Sequence, residues 1–420
     1  MSFMIAAGQA FSHGKPLGGN GMRRTRVIAA VLCAGLLVPG VAVAEPAPTA
    51  VAQHAENRLL SAKVIKQLSR AEVVAYLADY ELDTSAVRNG VDLYLLTYRT
   101  TGLDGRPTTA SALTVLPRTR DRTLRTVTWL HGTRVFRGDT GSTADNLDRA
   151  ASVLFAASGY ATVAPDYVGL GTGPGRHPYM VSDPTVGATV DALRATRTLA
   201  ARSGQRLARG VLVSGFSQGG QASMLVGREL QRSPEFGLGA VAGIAGPYDI
   251  RGQELPAALD GRLDGISATL YLGYAITSWN RAYGLYDSPS EAFRAPYDQV
   301  VESLFDSDHE ELDVVNALPH TPRELFTDEF LARLAHPDGV LASVLKSNDD
   351  PCDWRPRVPV RLYAGTADRD VVFANSRSCQ DTLRAHGTRD SRVVNVGEVD
   401  HFTSARVALP QVLTWFNSLR

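Results

Sequence analysis

The chain has 420 residues, of which 44% are hydrophobic and 20% charged, with 43 basic residues against 43 acidic ones. That composition is ordinary for a globular enzyme, and the length supports one large domain with an insertion, or two domains, around a sizeable core. A formal net charge of zero gives no electrostatic reason to expect nucleic acid or an anionic membrane surface as a partner.

In chain order the first pattern is a leader. Arg23, Arg24 and Arg26 follow Met22, an apolar run covers 27–38, Pro39 and Gly40 break it, and Ala42-Val43-Ala44 supplies a small-x-small pattern. This is the three-part layout of a secretory signal peptide, and the run is short for a membrane span. Residues 1–44 are therefore read as a signal region starting in effect at Met22 and cleaved after Ala44. The expected product is secreted or periplasmic, without a stable membrane anchor; a retained anchor helix is the alternative. Loss of Lys15, Arg23, Arg24 and Arg26 leaves that product net acidic by those four charges. Cys33 leaves with them, and Leu32 before it is not the small residue of a lipoprotein signal. Cys352 and Cys379 remain, an even pair that reads as one disulfide in an exported chain. Two free buried thiols are the alternative.

Residues 45–58 are rich in Ala and Pro and read as a flexible leader. The stretch 59–82 has a short helical pattern. Residues 91–98 alternate as a strand, 102–106 make a turn, and 109–116 return as the second arm of a hairpin. Apolar strands at 125–130, 160–164, 210–214 and 241–245 then alternate with helices at 147–158 and 221–230 and with one opened by Asp183-Pro184. That beat predicts a mostly parallel α/β sheet with helices on both faces. It stops between 250 and 351, where helical patches such as 324–334 accompany Tyr271, Tyr274, Trp279, Tyr283 and Tyr286; this segment is expected to be a helical cap. The sheet resumes at 358–364. A helix at 375–386 stops at Gly387, a last strand covers 393–396 and a final helix 410–419. The division is thus an α/β core of 59–249 and 352–420 with a cap or lid of 250–351.

The strand at 211–214 runs into Gly215-Phe216-Ser217-Gln218-Gly219-Gly220 and then a helix. G-x-S-x-G between a strand and a helix is a nucleophile elbow: a strained turn projects the serine hydroxyl above the sheet. Gly215 and Gly219 leave room where side chains would strike neighbouring elements. A serine needs a base, and the base an orienting acid, in the chain order Ser, Asp or Glu, His. Asp368 follows the strand at 360–364 in the turn Gly365-Thr366-Ala367-Asp368 and is the candidate acid, with Asp370 as competitor. Of nine histidines, His401 alone follows the last strand, and it is the candidate base. His131-Gly132-Thr133 follows the third strand, so the oxyanion donors are expected to be the backbone N–H groups of Thr133 and Gln218, with Arg134 as the alternative to Thr133. His131 itself reads as structural, and His177, before Pro178, as a loop residue.

With these residues in place the chain resembles the α/β-hydrolase superfamily over nearly its whole mature length. It is similar more closely to the secretory lipase and bacterial esterase group. The further likeness lies in Ala164-Pro165-Asp166-Tyr167-Val168-Gly169-Leu170-Gly171, in His177-Pro178-Tyr179, in Asp191-Ala192-Leu193-Arg194-Ala195, and in a helical cap ahead of the acid. Gly132 departs from the pattern in being followed by Thr133-Arg134 and not by a glycine run. The resemblance implies a secreted esterase or lipase acting on a small-molecule or lipid ester through an acyl-enzyme, with no metal or organic cofactor. A serine peptidase or acyltransferase of the same fold is the alternative; a catalytically inactive binding protein is the rival from another class. The acidic run Asp306, Asp308, Glu310, Glu311 and Asp313 reads as a solvated helix face, with calcium binding as the alternative.

Overall fold

The computed structural model describes residues 58–419; the signal region and nearly all of the 45–58 leader lie outside them. The strands of the main sheet are β1 (Leu59–Leu68), β2 (Val91–Thr101), β3 (Pro107–Pro117), β4 (Thr126–Leu130), β5 (Ala161–Pro165), β6 (Val211–Phe216), β7 (Leu238–Ile244), β8 (Val360–Ala364) and β9 (Ser391–Asn395). They form one sheet in the order β1-β2-β3-β5-β4-β6-β7-β8-β9. The first three strands run antiparallel, β3 meets β5 antiparallel, and every pair from β5 to β9 is parallel. Every residue of β4, β5 and β6 is buried. A parallel strand covered on both faces has no solvent side, which is why these strands read as unbroken apolar runs.

The helices of this core are α1 (Arg70–Ala78), α2 (Leu147–Ala157), α3 (Ser182–Arg202) and α4 (Gln218–Arg232). The segment after β7 adds α5 (Gly265–Tyr283) and α6 (Gly339–Asn348) with several shorter helices, and the chain ends with α7 (Ala374–Ala385) and α8 (His401–Ser418). Side chains of α1, α2 and α8 bury one face of the sheet, around Leu93, Val115 and Trp129. Those of α3 and α4 bury the other, around Leu96, Val163 and Val213. The period-two alternation of the strands sends neighbouring residues to opposite layers. The segment after β7 packs a third cluster around Tyr274, Phe293, Phe305, Phe326 and Phe330, which also takes in Val135, Tyr179 and Met180 of the core. No helix of the described residues is long and apolar enough to cross a membrane.

Among the boundaries that differ from expectation, three show how the structure decides. The stretch 59–82 is not one helix: β1 precedes α1, and the Ser69–Glu72 capping box separates them. β1 pairs with β2 along its length, but register irregularities at 59/61 and 64/66 break the alternation that marks a strand in sequence. Cross-strand pairing decides its conformation, not propensity. The last helix starts at His401, nine residues before Pro410, which was expected near its start. Asp400 caps it by accepting the Thr403 N–H, and Pro410 sits inside the helix. Asp183 and Pro184 lie within the first turn of α3, whose N-cap is Val181.

Cys352 and Cys379 form a disulfide, with Cα atoms 5.4 Å apart. It ties the chain leaving the cap segment to α7, in a cluster with Met224, Tyr248, Trp354 and Leu383. The bridge closes a sequence separation of 27 residues. Replacing both cysteines by serine is expected to lower unfolding stability by roughly 3–4 kcal/mol through loop entropy alone. A urea midpoint unchanged from the parent protein would contradict that.

Candidate active site

The strand order reverses beside β4: β5 lies on one side of it and β6 on the other. In open α/β sheets such a reversal leaves a crevice at the C-terminal strand ends. The register aligns Leu130 with Gly215, so the chain leaves both strands at the same level, as His131-Gly132-Thr133 and as Phe216-Ser217. Ser217 has φ 56 and ψ −122, a conformation costly for a side chain that must be held by its surroundings. Its N–H donates to the Ile244 carbonyl at 2.9 Å, and its carbonyl accepts from Gly220 at 2.7 Å.

The flanking glycines are sterically required. A Cβ on Gly219 would lie 2.0 Å from the Leu130 oxygen, and one on Gly215 would lie 2.2 Å from the Gly219 oxygen. A Cβ on Gly132 would stand 3.3 Å from the Ser217 Cβ, which sets that loop directly against the serine. Gln218 is the first residue of α4, where the backbone N–H has no intrahelical acceptor and the helix dipole is positive. Thr133, Ser217 and Gln218 line one cavity together. The Arg134 guanidinium is paired with Asp148 (2.6 Å) and Asp139 (3.2 Å).

The turns after β8 and β9 bring Asp368 to His401. The Thr366 N–H donates to the Gly397 carbonyl at 2.9 Å, joining the two turns. A Cβ on Gly365 would lie 2.4 Å from both Ser404 Oγ and the Val399 oxygen, so glycine lets the start of α8 seat against the acid's turn. His401 Nδ1 donates to Asp368 Oδ2 at 2.7 Å, and both side chains are almost fully buried. Asp368 Oδ1 accepts the N–H groups of Asp370 and Val371, each at 2.9 Å. The competitor Asp370 accepts from the Tyr271 hydroxyl at 3.3 Å instead. With its proton on Nδ1, the neutral imidazole keeps Nε2 as a free base. No hydrogen bond joins Ser217 Oγ to His401; the ring centroid of Phe216, the residue before the serine, lies 4.5 Å from the imidazole. Such contacts are commonly loose in unliganded enzymes.

Burial disfavours the His401 imidazolium, but the Asp368 charge and hydrogen bond outweigh it, aided by Asp370 and Asp400, so the pKa lies above 6.5. A second carboxyl stands close by, unnoticed in the sequence. Glu254 closes a π-helical turn, Ile250–Glu254, where the chain enters the cap segment. It accepts from Asn375 Nδ2 and from the Val372 N–H (3.2 Å), within the segment that follows Asp368. Burial and then the Asp368 charge push its pKa well up. His177, which the sequence places in the loop before Pro178, is buried, and its Nε2 lies 3.1 Å from Gln218 Nε2. No sequence signal pairs positions 41 apart. His131 is held by backbone partners, Gly132 O at 2.7 Å and Asp166 O at 3.3 Å.

The cavity is overwhelmingly apolar. Tyr271 and Trp279 of α5 line it, beside Ile250, Leu255, Ala268, Ala275 and Ile276. The other cap aromatics do not. Tyr274 stacks between Tyr179 (4.2 Å) and Phe305 (4.8 Å), Tyr286 bonds to Glu302, and Tyr283 is partly exposed. Of the acidic run, Asp306 caps the N–H groups of Asp308 and His309, and Asp308 pairs with Arg137, so the run is not simply a solvated helix face. Among the described residues no group of three or more His, Cys, Asp or Glu is placed to hold a metal ion.

A sheet of this order, with a serine elbow at its reversal point, is an α/β-hydrolase. The secretory lipase family matches residues 142–273, a stretch that contains Ser217 and Gln218. The rice cell wall degrading esterase LipA from Xanthomonas oryzae, in a ligand-bound form, superposes with TM-score 0.77 at 25% identity, over 86% of this chain and 98% of that one. The closed state of Candida antarctica lipase A shares the fold, with TM-score 0.62 at 13% identity over 88% and 84% of the two chains. No curated protein sequence matches. The chain thus resembles secretory lipases and bacterial esterases and is a hydrolase, with ester hydrolysis the activity these likenesses support. The likeness and the disulfide fit an extracellular or periplasmic protein.

The His401 titration is open to NMR. The imidazole proton signals are expected to titrate with a midpoint above 6.5, and in Asp368→Asn the midpoint should fall, because burial then acts with less opposition. A midpoint unmoved by that substitution would mean that Asp368 does not set the charge state of His401.

Proposed function

We propose that this protein is a secreted carboxylic ester hydrolase in which Ser217 is the nucleophile, His401 the general base and acid, and Asp368 the residue that orients His401. The observation that carries the reading is the buried 2.7 Å Asp368–His401 pair beside a strained serine turn. Ser217 Oγ attacks the ester carbonyl as its proton passes to His401 Nε2. The oxyanion accepts from the backbone N–H groups of Thr133 and Gln218. His401 then protonates the leaving alcohol, and water activated the same way releases the acid. The signal region 1–44, cleaved after Ala44, accounts for export.

The apolar cavity next to Ser217 suits the acyl chain of a small-molecule or lipid ester. It is concave and apolar, and Thr133, Ser217 and Gln218 are part of its lining. An acyltransferase would use the same acyl-enzyme, and product analysis with added alcohol separates the two.

Ser217→Ala is expected to abolish hydrolysis of p-nitrophenyl esters and labelling by a fluorophosphonate while the circular dichroism stays native; retained turnover would refute the assignment. For the parent enzyme kcat/KM should fall as pH drops through the His401 pKa, above 6.5, since the protonated ring cannot accept the serine proton. Ala275→Phe, which fills the cavity, should cut kcat/KM for octanoyl esters on the order of tenfold more than for acetyl esters. An equal loss on both would place the acyl chain elsewhere.

A further inference from the structure

The segment 164–179, which resembles the secretory lipases in sequence, has no part in the mechanism above, yet it reaches the oxyanion site. Asp166 is fully buried and accepts from Ser111 Oγ (2.6 Å) and Ser142 Oγ (2.5 Å). The Tyr167 hydroxyl donates to the His131 carbonyl at 3.2 Å. At Gly169, φ is +80 and a Cβ would lie 2.3 Å from the Arg176 carbonyl carbon, so glycine lets the loop fold back on itself. That closure delivers His177 to the centre of the molecule. Its ring stacks on Tyr167 at 5.7 Å and meets Tyr179 and Tyr274 edge-on, each at 6.2 Å. Its N–H donates to Ser307 Oγ of the cap segment at 3.0 Å.

The hydrogen bonds of the ring fix its tautomer. Nδ1 lies 2.9 Å from the Val168 carbonyl, which can only accept, so Nδ1 carries the proton. Nε2 is then an acceptor, 3.1 Å from the Gln218 amide nitrogen. Burial pushes the His177 pKa down to about 3, so this acceptor persists wherever His401 can act as a base. Gln218 is itself buried, and among the described residues its Oε1 has no hydrogen-bond partner. His177 is therefore the group that holds the side chain of the first residue of α4.

We propose that His177 is a positioning residue for the oxyanion site: through the Gln218 side chain it fixes where the Gln218 N–H points. The inference rests on the reading of Ser217 and Gln218 given above. Backbone donors act on the transition state more than on the bound ester. A loosened donor should therefore lower kcat and leave KM nearly unchanged.

Two substitutions separate this role from packing. In His177→Asn the amide can still reach Val168 but not Gln218; kcat on a p-nitrophenyl ester is expected to fall on the order of 10–100-fold with KM little changed. In His177→Gln a side-chain oxygen can take the place of Nε2, and most of kcat should return. The Ki of a trifluoromethyl ketone, which mimics the tetrahedral adduct, should rise in step with the loss of kcat. Fluorophosphonate labelling and circular dichroism of each variant verify that Ser217 and the fold are intact. If the parent protein labels at Ser217 but His177→Asn keeps full kcat, or loses only KM, the proposal is overturned. It is overturned equally if Ki is unmoved, or if His177→Gln is as impaired as His177→Asn. If the parent protein neither labels nor hydrolyses esters, the Ser217 reading fails instead.

Discussion

The structure depends on how closely β4 and the start of α4 approach each other. Gly219 packs against the Leu130 carbonyl, with no room for a single methyl group at that point. That contact brings the end of β4 to the serine turn, and the Leu130–Gly215 register keeps the two strand ends level. The oxyanion donors of such a site come from two separate chain segments. Their spacing is set by backbone packing in the buried centre of the sheet, where interiors are dense and yield little. The strained Ser217 backbone is tolerable for the same reason: its N–H is held by β7 and its carbonyl by Gly220.

The second half of the site is governed by charge in a dry place. An unpaired buried carboxylate is expensive, and removing one partner of a buried pair typically costs about 3–5 kcal/mol. Asp368 meets that cost with two backbone N–H groups and His401 Nδ1, so all its hydrogen bonds come from fixed donors. Glu254 stands in the same field, opposed only weakly by the charge of Arg262. Burial, and then the Asp368 charge, both favour its protonated form. Because Glu254 also holds the Val372 N–H and Asn375, the entrance of the cap segment and the segment that follows Asp368 are fastened to each other.

What could be read from the sequence was what is local or fixed by chain order. The elbow around Ser217 declares itself because an apolar strand, two glycines and a helix lie within a few residues. Asp368 and His401 follow from their places after particular strands. β1 escaped notice because its register slips hide the alternation, and the start of α8 because a proline drew the boundary to 410. His177 and Glu254 escaped for a deeper reason. Their partners, Gln218 and Asn375, are 41 and 121 residues away, so each role exists only once the sheet has assembled. The cap aromatics lay between these cases: the cluster was visible, but which rings face the cavity depended on how α5 rotates against Tyr179 and Phe305.

The cavity and the hydrogen-bonding centre then divide the work. An apolar wall gains about 25 cal/mol for each Å² of chain it removes from water, and it gains nearly the same for bound ester and transition state. Such a wall sets which esters stay bound long enough, and discriminates between neighbouring chain lengths by only a few kcal/mol. In the proposed mechanism the N–H groups beside Ser217 act on charge that appears during the reaction, so their alignment bears on the rate. The two parts meet at Gln218, which lines the cavity and begins α4. Its side chain is gripped by a histidine whose own N–H is bound to Ser307 of the cap segment. A change in how the cap segment seats on the core would thus be felt at the proposed oxyanion site as well as in the apolar cavity.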